Sequence, residues 1–235
     1  MERVVICAGG PFEELPDLAA YRTEGTIFIG VDRGALHLLN LGIVPNEAVG
    51  DFDSVSEEEF CRIQDDVERI DSFRSEKDET DTELAMARAL AYNPKEVIIT
   101  GVTGGRLDHY ESALQLLYRM QANHKEITFF IRNDHNEISI VFPGVHRVKR
   151  IAKLPYLSFF PFGCNVEGLT LTGFKYETVN ARMEMGMTKF TSNEPISEVC
   201  TISFRQGICL MVRSSDSWKE KGIASLYIYN AEVSK

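Results

Sequence analysis

The sequence of 235 residues contains few cysteines, and their spacing excludes two common uses of this residue. The five cysteines are scattered along the chain, and no two of them form a Cys-x-x-Cys pair. Neither a disulfide framework nor a cysteine zinc site is therefore indicated. We interpret the cysteines as small, buried apolar residues.

Long apolar runs and an excess of positive charge are also missing. No run approaches the ~20 residues that span a bilayer. The short apolar stretch near the N-terminus is followed at once by acidic residues, which is not a secretory pattern. We therefore predict a cytoplasmic protein without a membrane partner. The net charge of −10 argues against nucleic acid, whose phosphates select basic surfaces, but is compatible with a nucleotide bound through metal ions.

The composition that remains is that of an ordinary globular protein. Apolar residues make up 44% and charged residues 26% of the chain, enough for one large domain or two small ones. In the first half, short apolar runs alternate with helical patterns. These runs predict strands over 4–8, 26–31, 47–50, 67–70 (a weak run), 96–101 and 127–131.

Two helices between these strands are well marked. Leu107, Tyr110, Leu114 and Leu117 recur at helical spacing and form one apolar stripe. Asp81 begins a second segment, with an acidic first turn followed by the helix formers LAMARALA. Strands that alternate with helices predict an α/β domain with a mostly parallel sheet and flanking helices.

The second half has a different rhythm. Its β-branched and aromatic runs are SIVF, YLSFF, LTLTGFKYE, CTISF, ICLMV and SLYIY, and Gly, Asn, Pro or Ser residues separate them. No long amphipathic helix is evident. We predict an antiparallel β-sandwich or barrel here. The predicted boundary divides an α/β domain, residues 1–134, from a β-rich domain, residues 135–235.

The stretch VGDFDS places two carboxylates, Asp51 and Asp53, one residue apart after a predicted strand. In an extended segment both point to the same side, with Cα atoms roughly 6.6 Å apart. Such like charges repel unless a cation, a proton or water lies between them. One interpretation is a solvated turn. The other is a Mg²⁺ site, since Mg²⁺ prefers carboxylate oxygens.

The position of the unusual residues favours the metal site. CAGGP, VDRG, VGDFDS and TGVTGGRLDH each lie at the carboxyl end of a predicted strand. In open α/β sheets, ligands bind at that edge. The four loops predict one site that contains Gly9, Gly10, Asp32, Gly50, Asp51, Asp53, Gly104, Gly105, Arg106 and Asp108.

Several of these residues also have a purely structural interpretation. Asp32, Asp81 and Asp108 could cap helices, and the glycine pairs could form tight turns. Neither glycine loop matches GxGxxG or a P-loop. Glycines before a helix nevertheless expose backbone N–H groups that suit phosphate oxygens.

The inventory of charges indicates the chemistry. Phosphoryl transfer needs a metal ion that bridges phosphate oxygens and cations that offset the developing charge. No Ser-His-Asp or Cys-His arrangement is evident, and His109 is interpreted as a packing or capping residue. The charges that suit a metal–polyphosphate complex are Asp32, Asp51, Asp53, Asp81 and Asp108, with Arg33, Lys77 and Arg106 near them.

In type and order, the motifs GDFDS, KDETDTELAM, GVTGGRLDH and TSNE resemble those of thiamine pyrophosphokinases, as does VDRGALHLL. The resemblance covers essentially the whole chain. It implies an ATP- and Mg²⁺-binding catalytic domain, followed by a β-rich domain for thiamine binding and dimerisation. It also implies transfer of the pyrophosphoryl group of ATP to the thiamine hydroxyl, which gives thiamine diphosphate and AMP, in a homodimer whose site is shared between subunits.

The resemblance assigns roles to individual residues. Asp51 and Asp53 match the Mg²⁺ carboxylates, and Asp81 matches the metal or thiamine end of the site. Ser192 and Asn193 match thiamine contacts that the partner's β domain supplies. The residues assigned to ATP are Gly9, Gly10, Asp32, Arg33, Gly50, Lys77, Gly104, Gly105, Arg106 and Asp108.

Two departures from the family pattern stand out. Ser112 occupies a position where relatives often have Asn, and Pro195 one where they often have an aromatic residue. We take Trp218 as a candidate to replace that aromatic residue. Two other functions are compatible with the residues: a pyrophosphokinase for another heteroaromatic alcohol, such as a hydroxymethylpterin, and a non-catalytic sensor of nucleotide or thiamine diphosphate.

Overall fold

The computed structural model describes residues 2–72 and 79–216, so Lys77, Trp218 and the SLYIY run lie outside the described residues. The apolar runs of the first half form six parallel strands in the order β4-β3-β2-β1-β5-β6. This confirms the predicted sheet. The strands are β1 (Arg3–Cys7), β2 (Thr26–Val31), β3 (Glu47–Gly50), β4 (Ile70–Ser72), β5 (Glu96–Thr100) and β6 (Thr128–Arg132).

Both faces of this parallel sheet are covered, which explains its continuous apolar runs. In β1, Val4 and Ile6 pack into one core with the helices that follow β4 and β5. Val5 and Cys7 point to the opposite face and join Leu18 in a second core. Alternate residues of a strand thus serve two cores.

Four helices flank the sheet: α1 (Arg33–Asn40), α2 (Glu57–Asp66), α3 (Asp81–Ala91) and α4 (Leu107–Asn123). Two short 3-10 helices, Phe12–Glu14 and Leu18–Tyr21, follow β1. The two predicted helices correspond to α3 and α4. None of the helices in the described part of the chain is long and apolar enough to cross a membrane.

The strand predicted over 67–70 was placed too early. A capping box between Ser56 and Glu59 starts α2. Val67 is the C-cap of this helix, so the residue predicted to begin a strand instead ends a helix. Val67 is buried with Phe52 and Ile63, and β4 begins only at Ile70. The same capping pattern, with Thr80 and Glu83, starts α3.

The second half builds two antiparallel layers, as predicted. β7 (Asn136–Val141), β9 (Tyr156–Pro161) and β13 (Cys209–Ser214) extend the first sheet in the order β6-β7-β13-β9. A separate sheet has the order β11-β10-β12-β8. It consists of β8 (Gly144–Lys149), β10 (Val166–Thr172), β11 (Thr178–Met183) and β12 (Val199–Phe204), of which β8 and β11 have no counterpart among the predicted runs. Large apolar side chains such as Phe159, Phe174 and Leu169 fill the space between the layers.

The parallel and antiparallel halves therefore share one nine-stranded sheet, joined where β6 pairs with β7. At this joint the Glu137 side chain is 5% exposed and lies between two guanidinium groups. Arg132 of β6 donates a hydrogen bond to the Glu137 carboxylate. On the other side, Nε of Arg213 in β13 lies 3.1 Å from Glu137 Oε1. Arg132 also donates to the Tyr21 hydroxyl.

We predict that Glu137→Gln lowers the free energy of unfolding by about 3–5 kcal/mol, because it leaves two buried guanidinium groups without a carboxylate. Urea denaturation measures the change. Glu126→Gln is the matched control, since the Glu126 side chain is 73% exposed, and its effect should stay within ~0.5 kcal/mol. Equal stability of the two variants would contradict the role of Glu137 in the joint.

Candidate functional site

Four loops meet at the carboxyl edge of the parallel strands. The Asp32 N–H, after β2, donates to the Val49 carbonyl of β3 at 3.0 Å. The Gly10 N–H, after β1, donates to the Gly101 carbonyl after β5 at 2.7 Å. The strand order reverses between β1 and β5, and such a switch point opens a crevice for ligands in α/β sheets. The edge that the sequence predicted as the site is thus assembled.

Three carboxylates converge at this edge. Oxygens of Asp32, Asp51 and Asp81 lie within 4.8 Å of one another, and all three residues are half-buried. Asp32 and Asp51 follow β2 and β3, whereas Asp81 is the first residue of α3. The cap of α3 is Thr80, so the capping role suggested for Asp81 belongs to its neighbour.

Asp32 is the most constrained carboxylate of the three. Its Oδ1 accepts a hydrogen bond from the Phe52 N–H at 3.1 Å. Burial and the nearby Asp81 carboxylate raise the pKa of Asp32 to about 7, with smaller contributions from Asp51 and Asp53. Gly50 leaves the room for this arrangement, because a Cβ at Gly50 would overlap Asp32 Oδ1. Asp32 precedes α1 but makes no side-chain cap to it.

Asp53 lies outside this group of three. Phe52 has a φ of 59°, so the chain is not extended between Asp51 and Asp53, and the prediction that they share one strand face was wrong. Phe52 turns inward and packs against Phe60, with ring centroids 4.9 Å apart. The exposed Asp53 donates its N–H to Asp51 Oδ1 at 3.1 Å. Its role as a metal ligand stays a prediction.

Both described candidate cations are engaged with carboxylates. Arg33 donates to the Ser54 carbonyl and pairs with Glu59 across α1 and α2. Arg106 forms a two-pronged contact with Asp108, which lowers the pKa of Asp108 to about 2. Asp108 lies in the first turn of α4, whereas the N-cap position is occupied by Arg106. Asp108 is therefore not the cap of this helix.

The loop that carries Gly104 and Gly105 is held by Asn133, a residue that the sequence did not predict to belong to the site. The Asn133 amide, in the β6–β7 turn, donates to Thr103 Oγ1 at 3.0 Å and to Glu14 Oε2 at 3.2 Å. Its Oδ1 accepts from two backbone N–H groups of the same turn. Asn133 thereby connects the β-rich half to the loop that carries Gly104 and Gly105. Its sequence context, RNDHN, indicated only a turn.

A histidine also supports this edge, but it is not His109. His37 of α1 is buried, its Nε2 lies 3.0 Å from the Gly10 carbonyl oxygen, and its ring packs near Phe12. Burial lowers the pKa of His37, which favours the neutral form of the ring. His109 is exposed on α4.

The TSNE segment lies beside β9 in the β-rich half. Asn193 is 3% exposed, and its amide is occupied by the backbone of Tyr176 and by the Glu194 N–H. Ser192 is exposed, has a φ of 55° and donates its N–H to Ser158 Oγ. Asn193 thus shapes the loop that presents Ser192. The buried Pro195 bridges to Phe174 instead of presenting a ring.

Two family models and several known proteins match this chain in sequence. A family model described as "Thiamin pyrophosphokinase, catalytic domain" matches residues 18–130, and one described as "Thiamin pyrophosphokinase, vitamin B1 binding domain" matches residues 145–209. The chain is 41% identical to the thiamine pyrophosphokinase of Bacillus subtilis (strain 168), over 92% of this chain and 100% of the relative. The chain belongs to the thiamine pyrophosphokinase family.

Solved structures of the thiamine pyrophosphokinase family have the same fold. The crystal structure from Bacillus subtilis superposes with a TM-score of 0.86 over 92% of this chain and 100% of that one, at 41% identity. The thiamin pyrophosphokinase of Geobacillus thermodenitrificans gives a TM-score of 0.84 at 38% identity, over 92% of this chain and 99% of that one. The predicted fold class is confirmed.

The two family matches divide the candidate residues. The three clustered carboxylates fall in the stretch matched by the catalytic-domain model, and Ser192 and Asn193 fall in the other. The predicted domain boundary, after residue 134, lies between the two stretches.

We predict that Asp32→Asn stabilises the metal-free protein at pH 8. The raised pKa of Asp32 means that stability falls as pH rises from about 4 to about 7, so at pH 8 the full cost of its ionised form is present. Asn removes the charge but keeps the acceptor for the Phe52 N–H. We expect the free energy of unfolding to rise by about 1–3 kcal/mol, which corresponds to an increase of roughly 2–10 °C in Tm.

Thermal unfolding with and without Mg²⁺ tests this expectation. Mg²⁺ should raise Tm less in Asp32→Asn than in the unmodified protein. Asp53→Asn is the control, because Asp53 is exposed and should change the metal-free Tm less. A lower metal-free Tm for Asp32→Asn would contradict the repulsion among the three carboxylates.

Proposed function

We propose that the protein transfers the pyrophosphoryl group of ATP to the hydroxyl of thiamine, giving thiamine diphosphate and AMP. Family membership supports the reaction, and the cluster of Asp32, Asp51 and Asp81 at the sheet edge is the observation that supports its location. In this reaction the hydroxyl oxygen bonds to the β-phosphorus while the bond from that phosphorus to the α–β bridging oxygen breaks. AMP leaves with the bridging oxygen, and the hydroxyl proton is released.

We further propose Mg²⁺ as the cofactor. The donor set fits this ion. Three carboxylate oxygens within 4.8 Å of one another repel, and a bound cation would relieve that repulsion. Carboxylate oxygens are also the ligands that Mg²⁺ prefers. Asp32, Asp51 and Asp81 would hold the ion, with Asp53 as a further candidate. When bound, Mg²⁺ neutralises phosphate charge and orients the triphosphate.

The loops around the carboxylates supply the other contacts of this proposal. Backbone N–H groups of the two glycine pairs, Gly9–Gly10 and Gly104–Gly105, suit phosphate oxygens. The Arg106 side chain is 70% exposed, so an incoming phosphate can compete with Asp108 for it. His37 and Asn133 hold these two loops in place and thereby orient their N–H groups.

An assay of purified protein with ATP, Mg²⁺ and alternative acceptors tests the reaction. We expect AMP and thiamine diphosphate to form with thiamine. Asp51→Asn should lower kcat ~10²-fold or more, about 2.7 kcal/mol, with a smaller effect on thiamine binding. AMP formation with a hydroxymethylpterin alone would contradict the acceptor. Tight binding of thiamine diphosphate without turnover would indicate a sensor instead.

We propose that the protein acts as a cytoplasmic homodimer in which Ser192 and Asn193 contribute to the partner's thiamine site. Exposed apolar side chains beside this segment support an interface: Tyr176 is 61% exposed and Ile196 is 64% exposed. Large exposed apolar residues that lie close together favour a protein contact. We also propose that the chain divides into a catalytic α/β domain, residues 1–134, and a β-rich domain, residues 135–235, which provides the dimer contact.

We predict that the dimer is required for activity and that complementary variants restore it. Asp51→Asn and Ser192→Ala disable opposite ends of a shared site, so mixing the two proteins should form some dimers with one intact site. Sedimentation at assay concentration measures the dimer. A fully active monomer, or a mixture no more active than its components, would contradict the shared site.

A further inference from the structure

A cleft of about 620 Å³ lies where the four-stranded sheet faces the joint between β6 and β7 of the nine-stranded sheet. One wall is β8, the edge strand of the four-stranded sheet, and five of its consecutive residues (145–149) line the cleft. The opposite wall is the face of β6 and β7. The cleft is distinct from the carboxylate edge, because β7 lies four strands from β2, about 19 Å away at the usual strand spacing.

The charges around this cleft are opposite in sign to the chain as a whole. Lys125, Arg147, Lys149 and Arg213 line it, and Glu137 is the acidic lining residue, although the protein carries a net charge of −10. Within the described chain, the three exposed cations (Lys125, Arg147 and Lys149) are in no ion pair. Concave walls that carry one sign of charge attract small ions of the other sign.

Arg213 gives the cleft a buried cation. The residue is 5% exposed, and its Nη1 has no hydrogen-bond partner within residues 2–72 and 79–216. Its nearest carboxylate, Glu137, is shared with Arg132, so the buried group carries two positive charges and one negative charge. This partly unpaired guanidinium therefore adds positive charge that no described carboxylate neutralises beside the cleft.

The need to keep the β8 edge strand from pairing with other chains explains only part of the positive charge that lines the cleft. Lysine and arginine on an edge strand discourage pairing with other chains, which would account for Arg147 and Lys149. It does not account for Arg213, which is buried in the central sheet, or for Lys125, which lies between α4 and β6.

We propose that this cleft binds a small organic anion, in which a phosphate or carboxylate group is joined to an apolar body. The exposed cations of the rim would contact the charged group, and the buried Arg213 would add positive charge behind the cleft wall. Apolar lining residues such as Phe130, Val141 and Met211 would cover the body. The volume lies in the range of small-molecule sites. This inference is independent of the proposed transfer reaction.

Titration of the full-length protein with phenyl phosphate, followed by methionine methyl NMR, tests the inference. Met211 lines the cleft, whereas Met86 lies in α3 of the α/β half. We expect saturable shifts of the Met211 methyl signal, assigned with Met211→Leu. Benzoate should produce the same shifts, and inorganic phosphate should bind at least fivefold more weakly because it lacks the apolar body.

Two double variants separate the cleft from general surface charge. Arg147→Gln with Lys149→Gln should weaken the binding of phenyl phosphate at least fivefold. Arg150→Gln with Lys153→Gln removes the same charge at exposed positions outside the cleft lining and should change it less than twofold. Equal weakening by both pairs, shifts of Met86 without Met211, or no shift of Met211 would overturn the proposal.

Discussion

Electrostatic repulsion among three carboxylates is the constraint on which the rest of the site depends. Asp32, Asp51 and Asp81 come from three separate segments, and only the packed sheet edge holds their oxygens within 4.8 Å. The local backbone is adapted to this approach. Gly50 leaves room for Asp32, and the left-handed Phe52 both anchors the loop in the core and donates its N–H to Asp32. A hard cation is the natural partner of such a group.

The continuous sheet extends this constraint to the second half of the chain. Because β7 pairs with β6, the turn between them is fixed at the same edge as the carboxylates, and Asn133 can reach Thr103 from it. Glu137 secures the start of β7 between Arg132 and Arg213. The antiparallel layers are therefore attached to the carboxylate edge through hydrogen bonds and ion pairs, as well as through the backbone.

The sequence predicted those features that depend on local patterns. Buried parallel strands are continuous apolar runs, and loops at their carboxyl ends are recognisable by Gly and Asp, so the edge and its carboxylates could be found. It could not predict that Asp32 joins Asp51 and Asp81 while Asp53 lies outside this group, because that depends on the φ of Phe52. Nor could it predict the links made by Asn133, His37 and Asn193, since each depends on contacts between residues distant in sequence.

Anomalous diffraction from crystals grown with Mn²⁺ and a non-hydrolysable ATP analogue tests the central claim most directly. Mn²⁺ favours the same oxygen ligands as Mg²⁺ and can be located by its own signal. The account predicts a peak at coordination distance from oxygens of Asp32, Asp51 and Asp81. A peak held by Asp51 and Asp53 alone, with Asp32 and Asp81 turned away from it, would contradict the account.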